Sequence, residues 1–433
     1  MWSRYTSARG LFSAWILMLV ALPLHPSAFV LKMQEGRSHD NFRSRGQGDA
    51  SVTSRRESLA EAARTAAGVS LSLGVLSQPR GGVMGPEPAQ ADAGNYVLPS
   101  KIETFSLGSL PSVPRVVNGL WQVSGAHGPI DPQRAVEDMK SYEIAGLRAW
   151  DMADIYGPAE LIYGKHLREY RDLPEAVQKP LGFTKFVPRP SDMSEPIVRD
   201  AIDRSLKRIG ADSLDLLQFH WWEYGDNRYK QGLDNLAKLR DSGEKKIKEL
   251  AVTNFDTEHV KEANERVRIV SNQVQYSLID SRPSVKLSEY CQEKGIKLLA
   301  YGTLLGGLLS EKFLGKLEPS DMDLNTASLQ KYKQMIDAWG GWGLFQQLLG
   351  TLNDIARQKK TSIPAVATRM VLDKPAVGAV ILGARLGVAN HVKSNVEAFK
   401  VKIGDGERKE VDKVLRKSRD LFALIGDTGD EYR

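Results

Sequence analysis

The chain has 433 residues, 42% of them hydrophobic and 26% charged. That composition excludes wholesale disorder, and the length allows one domain of about 250–300 residues plus further segments. Net charge is +6, half of it in residues 1–99, where ten Lys and Arg face seven Asp and Glu. The body is therefore close to neutral, which excludes nucleic acid as the main partner. A single cysteine, Cys291, excludes an internal disulfide and a cysteine-rich metal site.

Residues 1–29 carry the three parts of a secretory signal: Arg4 and Arg9, an apolar run from Leu11 to Leu24, and small residues at Ser27-Ala28. The run is shorter than the roughly 20 residues a membrane span needs, so no stable membrane insertion is expected after processing. From Lys32 to Arg64 the chain is rich in Arg and Ser with little apolar periodicity, as transit peptides are. This signal-then-transit order, with Ser27-Ala28-Phe29 at the junction, resembles the bipartite plastid leaders of algae whose plastids derive from a red alga. Within 54–91, Arg55-Arg56, the mildly apolar Ala66 to Leu76 and Ala89-Gln90-Ala91 resemble a thylakoid-lumen signal. Residues 1–29 thus read as a signal peptide, 30–99 as a transit peptide and 100–433 as the working domain, delivered to plastid stroma or lumen.

Beyond residue 115, short apolar runs alternate with amphipathic stretches. Strands are expected at Val116–Leu120, Arg148–Asp151, Leu181–Lys185, Leu214–Phe219, Ile247–Thr253, Val270–Val274, Ile296–Ala300 and Val377–Leu382. Helices are expected at Pro132–Ala145, Glu160–Tyr170, Ser194–Ile209, Lys230–Arg240, Thr257–Arg266, Ser284–Lys294, Phe345–Lys359 and Val388–Phe399. Eight strand–helix units predict an α/β fold, the (β/α)8 TIM barrel. A doubly wound sheet would need a Gly-x-Gly-x-x-Gly turn after its first strand, which Gly119-Leu120-Trp121-Gln122 does not supply. The stretch 306–343 reads as a long loop on the active face, a lid or binding loop.

In a barrel the carboxyl ends of the strands converge on one mouth. Here they carry Asp151 with Tyr156 in the following loop, then Lys185, His220, Thr253-Asn254, Gln273 and Tyr301. At these residues the chain resembles the aldo-keto reductase superfamily, on Gly146-x-x-x-x-Asp151-x-Ala153-x-x-Tyr156-Gly157-x-x-Glu160-x-x-x-Gly164, the Lys185 strand end, the apolar strand closing on His220, and Thr253-Asn254-Phe255. The resemblance implies an NADP-dependent oxidoreductase that reduces a small-molecule aldehyde or ketone without a metal, with Asp151, Tyr156, Lys185 and His220 as its catalytic four. The chemistry suits the residue types. Hydride arriving at a carbonyl carbon leaves charge on oxygen and needs a nearby proton donor. A tyrosine is a poor acid near neutrality, and an ammonium beside it favours the phenolate.

The same resemblance implies that Thr253, Asn254 and Gln273 bind the nicotinamide carboxamide of NADPH, with NADH possible, and that Tyr301 stacks on its ring. It places the 2′-phosphate and adenine at Arg385 and Asn395. Leu386 stands where a small hydroxyl residue is usual, His391 where an arginine is usual, and Met152 where Thr or Ser follows the aspartate; the first two weaken a strong NADPH preference. Trp121, Trp221, Trp222, Trp339 and Trp342 are candidates for the substrate-pocket wall, Trp221-Trp222 foremost. A non-catalytic NADPH-binding sensor on the same fold is the rival reading, and a Schiff-base lyase using Lys185 is a third.

Overall fold

The computed structural model describes residues 102–173 and 177–432; the expected signal and transit segments, 1–29 and 30–99, lie outside them. The chain enters through a hairpin of β1 (Thr104–Leu107) and β2 (Leu110–Pro114), paired antiparallel. Eight parallel strands then close into a barrel: β3 (Val116–Gly119), β4 (Ala149–Asp151), β5 (Leu181–Phe186), β6 (Leu214–Phe219), β7 (Ile247–Thr253), β8 (Ser271–Gln275), β9 (Lys297–Tyr301) and β10 (Val377–Gly383). Strand β10 pairs with both β9 and β3, so the sheet has no edge. Each of the eight expected strands lies within a residue or so of its observed bounds.

The period-two pattern of a strand explains both the core and the site. Val117, Ala149, Phe183, Leu216, Ala251, Leu299 and Ala379 point inward and form one apolar cluster with Leu107, Leu110 and Val113 of the hairpin. The hairpin therefore plugs the barrel floor. Two residues further along the same strands the inward positions turn polar, at Asp151, Lys185, Gln218, Thr253 and Tyr301. The apolar floor and the polar mouth are successive layers of one barrel interior.

Helices cover the outside. Gly164, in helix Ala159–Glu169, touches the end of helix Glu195–Ile209: a Cβ there would lie 2.5 Å from the Arg208 carbonyl oxygen. Only glycine permits that approach. Glu160 on the same helix is buried and accepts from Thr184 Oγ1 at 2.6 Å and from Arg208 Nη1 at 3.0 Å. The spaced Glu160 and Gly164 are thus packing residues that hold the loop carrying Tyr156.

Three expectations need correction. Residues 306–343 are not one long loop: helix Ala327–Trp339 occupies their second half, and Gly340 joins it to helix Gly341–Lys359. Trp339 and Trp342 lie in a second apolar cluster with Leu305, Leu308, Phe345, Val411 and Leu421, so they are core rather than pocket wall. Helix Ile363–Leu372 was not anticipated. Every residue in it except Pro364 is buried, so it carries no amphipathic stripe to read. Beyond it, the expected helix Val388–Phe399 shrinks to Val392–Glu397. Helices Asp405–Leu415 and Leu421–Ile425 then lead into a C-terminal segment ending at the mouth.

Candidate active site

Asp151 is the centre of the polar layer. It is 3% exposed; its Oδ2 accepts from Lys185 Nζ at 2.5 Å and its Oδ1 from Gln218 Nε2 at 2.9 Å and Gln273 Nε2 at 2.7 Å. Lys185 Nζ also donates to the Met152 carbonyl at 3.0 Å. That contact gives position 152 a role through its backbone, while the Met152 side chain packs in the outer core. Burial lowers the Lys185 pKa, but Asp151 and Tyr156 more than offset it, so the group stays above its ordinary value and remains an ammonium.

Tyr156 is half-buried, with Lys185 Nζ 4.8 Å from its ring centre. Burial pushes the phenol pKa up and Lys185 pulls it down; burial prevails, and the net direction is upward from 10.0. The phenol therefore holds its proton firmly, and the lysine limits the rise. His220 is buried, and its Nδ1 faces the Thr253 carbonyl oxygen at 3.1 Å. A carbonyl oxygen only accepts, so Nδ1 carries a proton; in the neutral ring Nε2 is then an acceptor. In this orientation His220 donates to a substrate oxygen only as the imidazolium.

The expected cofactor residues are brought together along one side. Asn254 adopts φ 57°, a left-handed conformation that asparagine tolerates better than most residues. Its Oδ1 accepts from Tyr301 Oη at 2.8 Å. The Thr253 hydroxyl donates to the Gln273 carbonyl at 3.1 Å, and the Gln273 side chain serves Asp151 and Gln218. In this arrangement Gln273 ties the site's carboxylate in place.

At the far end of β10, Arg385 is exposed and donates from Nη2 to the His127 carbonyl at 3.0 Å. Asn395 is buried and its Nδ2 has no protein partner. An orphaned buried donor carries a desolvation cost unless a ligand satisfies it, so this residue fits an adenine acceptor. Leu386 is fully buried in the outer core, which accounts for an apolar residue there. His391 is exposed, and an imidazole is mostly uncharged at neutral pH, so it does not replace an arginine's charge.

The pocket wall needs one correction. Trp221 is fully buried; its Nε1 donates to the Glu223 and Asp226 carbonyls at 2.7 and 3.0 Å, and its ring packs near Phe219 and Tyr229. It belongs to the core because side chains at 220 and 221 point to opposite faces of the chain. Trp222 is half-buried and stands edge-on to His220, with ring centroids 4.4 Å apart. Trp121 is half-buried in a short turn after β3, edge-on to His127 at 4.9 Å. Among the described residues no group of three or more His, Cys, Asp or Glu could hold a metal ion, and no helix is long and apolar enough to cross a membrane.

Two residues at the mouth escaped the sequence reading. Lys331 on helix Ala327–Trp339 donates to Tyr432 Oη at 2.5 Å, and Tyr432 and Tyr301 hydroxyls lie 2.7 Å apart. Burial brings the Lys331 pKa down to about 8. Neither residue sits in a motif; a lysine on an amphipathic helix and a tyrosine near a chain end carry no local signal.

Comparison with known proteins agrees with this fold. The model of the Aldo/keto reductase family matches residues 115–416. The chain is 22% identical over 309 residues to the NADH-specific methylglyoxal reductase of Escherichia coli (strain K12), covering 67% of this chain and 90% of that protein. It is 24% identical over 305 residues to the chloroplastic pyridoxal reductase of Arabidopsis thaliana, covering 66% of this chain and 79% of the relative. Among solved structures, the glycerol dehydrogenase of Gluconobacter oxydans superposes with TM-score 0.60 at 24% identity, over 72% of this chain and 95% of the other.

Proposed function

The chain belongs to the aldo/keto reductase family, and from that premise we propose that it reduces an aldehyde or ketone to an alcohol, with Tyr156 as the proton donor. The relatives are oxidoreductases acting on carbonyl compounds. The single observation that carries the reading is the buried Asp151–Lys185 pair at 2.5 Å, set beside the Tyr156 ring at the mouth. Such a pair serves no packing purpose that an apolar pair would not serve as well or better. A bound reduced nicotinamide would supply the hydride. Tyr156 gives its hydroxyl proton to the carbonyl oxygen as negative charge develops there. Lys185, kept charged by Asp151, stabilises the phenolate left behind. His220 and Trp222 bound the place of the carbonyl, and His220 is held in plane by Thr253. Steady consumption of NADPH with a panel of aldehydes and ketones tests the reading; no turnover with any of them, despite cofactor binding, would favour the sensor instead.

The pH profile separates the two candidate donors. If Tyr156 alone donates, its raised pKa keeps it protonated through neutrality, and kcat/KM for reduction should stay level from about pH 6 to 9. Loss should come only on the alkaline side, above the ordinary phenol value of 10.0. If the His220 imidazolium is also required, activity should already fall as pH rises well below the range in which a phenol ionises. The level profile is expected.

NADPH is the proposed cofactor, with NADH a real alternative given Leu386 and His391, and one relative is NADH-specific by name. Asn395 and Arg385 would hold the adenosine end. Arg385 is exposed, so its contact to a 2′-phosphate should be at the weaker end for a charged hydrogen bond. Arg385→Ala should weaken NADPH binding about tenfold and leave NADH nearly unchanged, as read by fluorescence titration. Equal loss for both cofactors would show that Arg385 does not read the phosphate.

For the leader we propose plastid delivery, supported by the signal-then-transit order and by a relative named as chloroplastic. Residues 1–99 fused to a fluorescent protein should enter the plastid of an alga with a red-derived plastid; retention in the secretory pathway refutes this. In the same series, residues 100–433 alone should keep kcat/KM within about threefold, because each assigned site group lies on the barrel or its loops.

A further inference from the structure

The C-terminal segment is seated where the proposed nicotinamide contacts are. Its hydrogen bonds form a chain with a forced direction. Lys331 Nζ can only donate, so Tyr432 Oη accepts from it at 2.5 Å. Tyr301 spends its proton on Asn254 Oδ1 at 2.8 Å, so the Tyr432 hydroxyl donates to Tyr301 at 2.7 Å. The Tyr432 ring stands edge-on to His220 with centroids 6.2 Å apart. Lys331 Nζ lies 4.9 Å from the Tyr432 ring centre and 5.2 Å from that of Tyr301.

The residues just before it are anchored as firmly. Glu431 is 3% exposed, and its Oε2 accepts from Arg282 Nη1 at 2.8 Å; Arg282 is itself 1% exposed and held from the other side by Asp280. Arg282 also donates to the Asp427 carbonyl at 3.2 Å, and the Asp427 carboxylate caps the Thr257 backbone at 3.0 Å. Gly429, at φ 92°, lies against the Asn254 backbone so closely that a Cβ would come within 2.2 Å of the Asn254 oxygen. A segment fixed at this many points is built into the mouth rather than draped over it.

We propose that residues 427–432 are an internal ligand of the cofactor site: the Tyr432 ring and the Glu431 carboxylate, an aromatic ring beside an anion, occupy the place of a nicotinamide and its neighbouring phosphate, and must leave before a dinucleotide can seat. The proposal rests on Tyr301 and Asn254 being cofactor contacts. When the segment leaves, Tyr301 and Asn254 become available to the carboxamide end. Lys331 loses its hydroxyl partner and becomes a cation facing the same place, while Arg282 keeps Asp280. The protein then binds its cofactor with an affinity reduced by the fraction of time the segment is seated.

The test compares NADPH binding by calorimetry and stopped-flow fluorescence in the full chain, a chain ending at Gly426, and the full-length Tyr432→Ala and Glu431→Gln variants. Both point variants keep the rest of the segment, so they remain informative if the shortened chain does not fold. The expected result is NADPH binding tightened about tenfold or more, with faster association, in the shortened chain and in Tyr432→Ala, and a smaller gain in Glu431→Gln. Unchanged or weaker binding in Tyr432→Ala overturns the internal-ligand proposal while leaving the reductase reading standing. A rise in the carbonyl KM with unchanged NADPH affinity overturns it too and makes the segment a wall of the substrate pocket. NADPH binding that is absent from every form, or indifferent to Tyr301→Ala, overturns both the proposal and the cofactor reading beneath it.

Discussion

Tyr156→Phe should leave a folded, cofactor-binding protein whose carbonyl reduction is slower by about 10²–10⁴, the usual loss on removing a general acid. The substitution deletes one oxygen and keeps the ring, so the contact surface with the barrel mouth survives. Lys185→Met should lose a similar factor for a different reason. The tyrosine remains, but burial and the Asp151 charge then act on it unopposed, so its pKa rises further and proton release slows. The losses should not add in the double variant, because both disable one proton-delivery unit. The measurement is kcat for the two single variants and the double, with NADPH affinity as control. If Tyr156→Phe keeps most of its kcat while chemistry is rate-limiting, the mechanism is wrong.

Asp151→Ala should give the largest loss of stability together with a loss of activity. Three donors lose an acceptor at once: Lys185 Nζ, which keeps only the Met152 carbonyl, and the amides of Gln218 and Gln273. Removing one member of a buried ion pair typically costs about 3–5 kcal/mol, because the other charge stays buried without compensation. On a domain of this size that is a melting temperature lower by about 4–7 °C. The sign with pH follows from Lys185. Its folded pKa is raised above 10.5, so the native pair contributes its full stability below 10.5 and loses it as pH rises through the folded value. The difference between native and variant melting temperatures should therefore be widest at neutral pH and narrow in alkali. Asp151→Asn, which keeps an acceptor for the two amides, should destabilise less yet lose activity nearly as far. A variant as stable and active as the native chain would remove Asp151 from the site.

Much of the site was legible from local pattern. A strand has a period of two, so once Phe183 is an inward core residue, Lys185 is inward as well; the same holds for Ala149 with Asp151 and Leu216 with Gln218. Each strand was short, apolar and bounded by turns, which is why Leu214–Phe219 and Ile247–Thr253 fall where they were expected. The pocket wall was less legible. Trp221 and Trp222 are adjacent, and only the placement of the loop after β6 decides which of the two faces His220 and which enters the core.

By itself the sequence determined the strand–helix alternation, the barrel it implies and the layer of polar groups at the strand ends, because these follow from periodicities of two and 3.6 residues acting within short windows. Only the tertiary structure decided how those groups are used. It tied Gln273 to Asp151, aimed the His220 Nδ1–H at the Thr253 carbonyl, turned half of the expected lid into helix, and brought Tyr432 from the end of the chain onto Tyr301. Partners such as Asp151 and Gln273, or Tyr301 and Tyr432, stand more than a hundred residues apart. Such contacts are set by barrel closure and by where the last helices pack, and neither leaves a mark on the residues next to them in the chain.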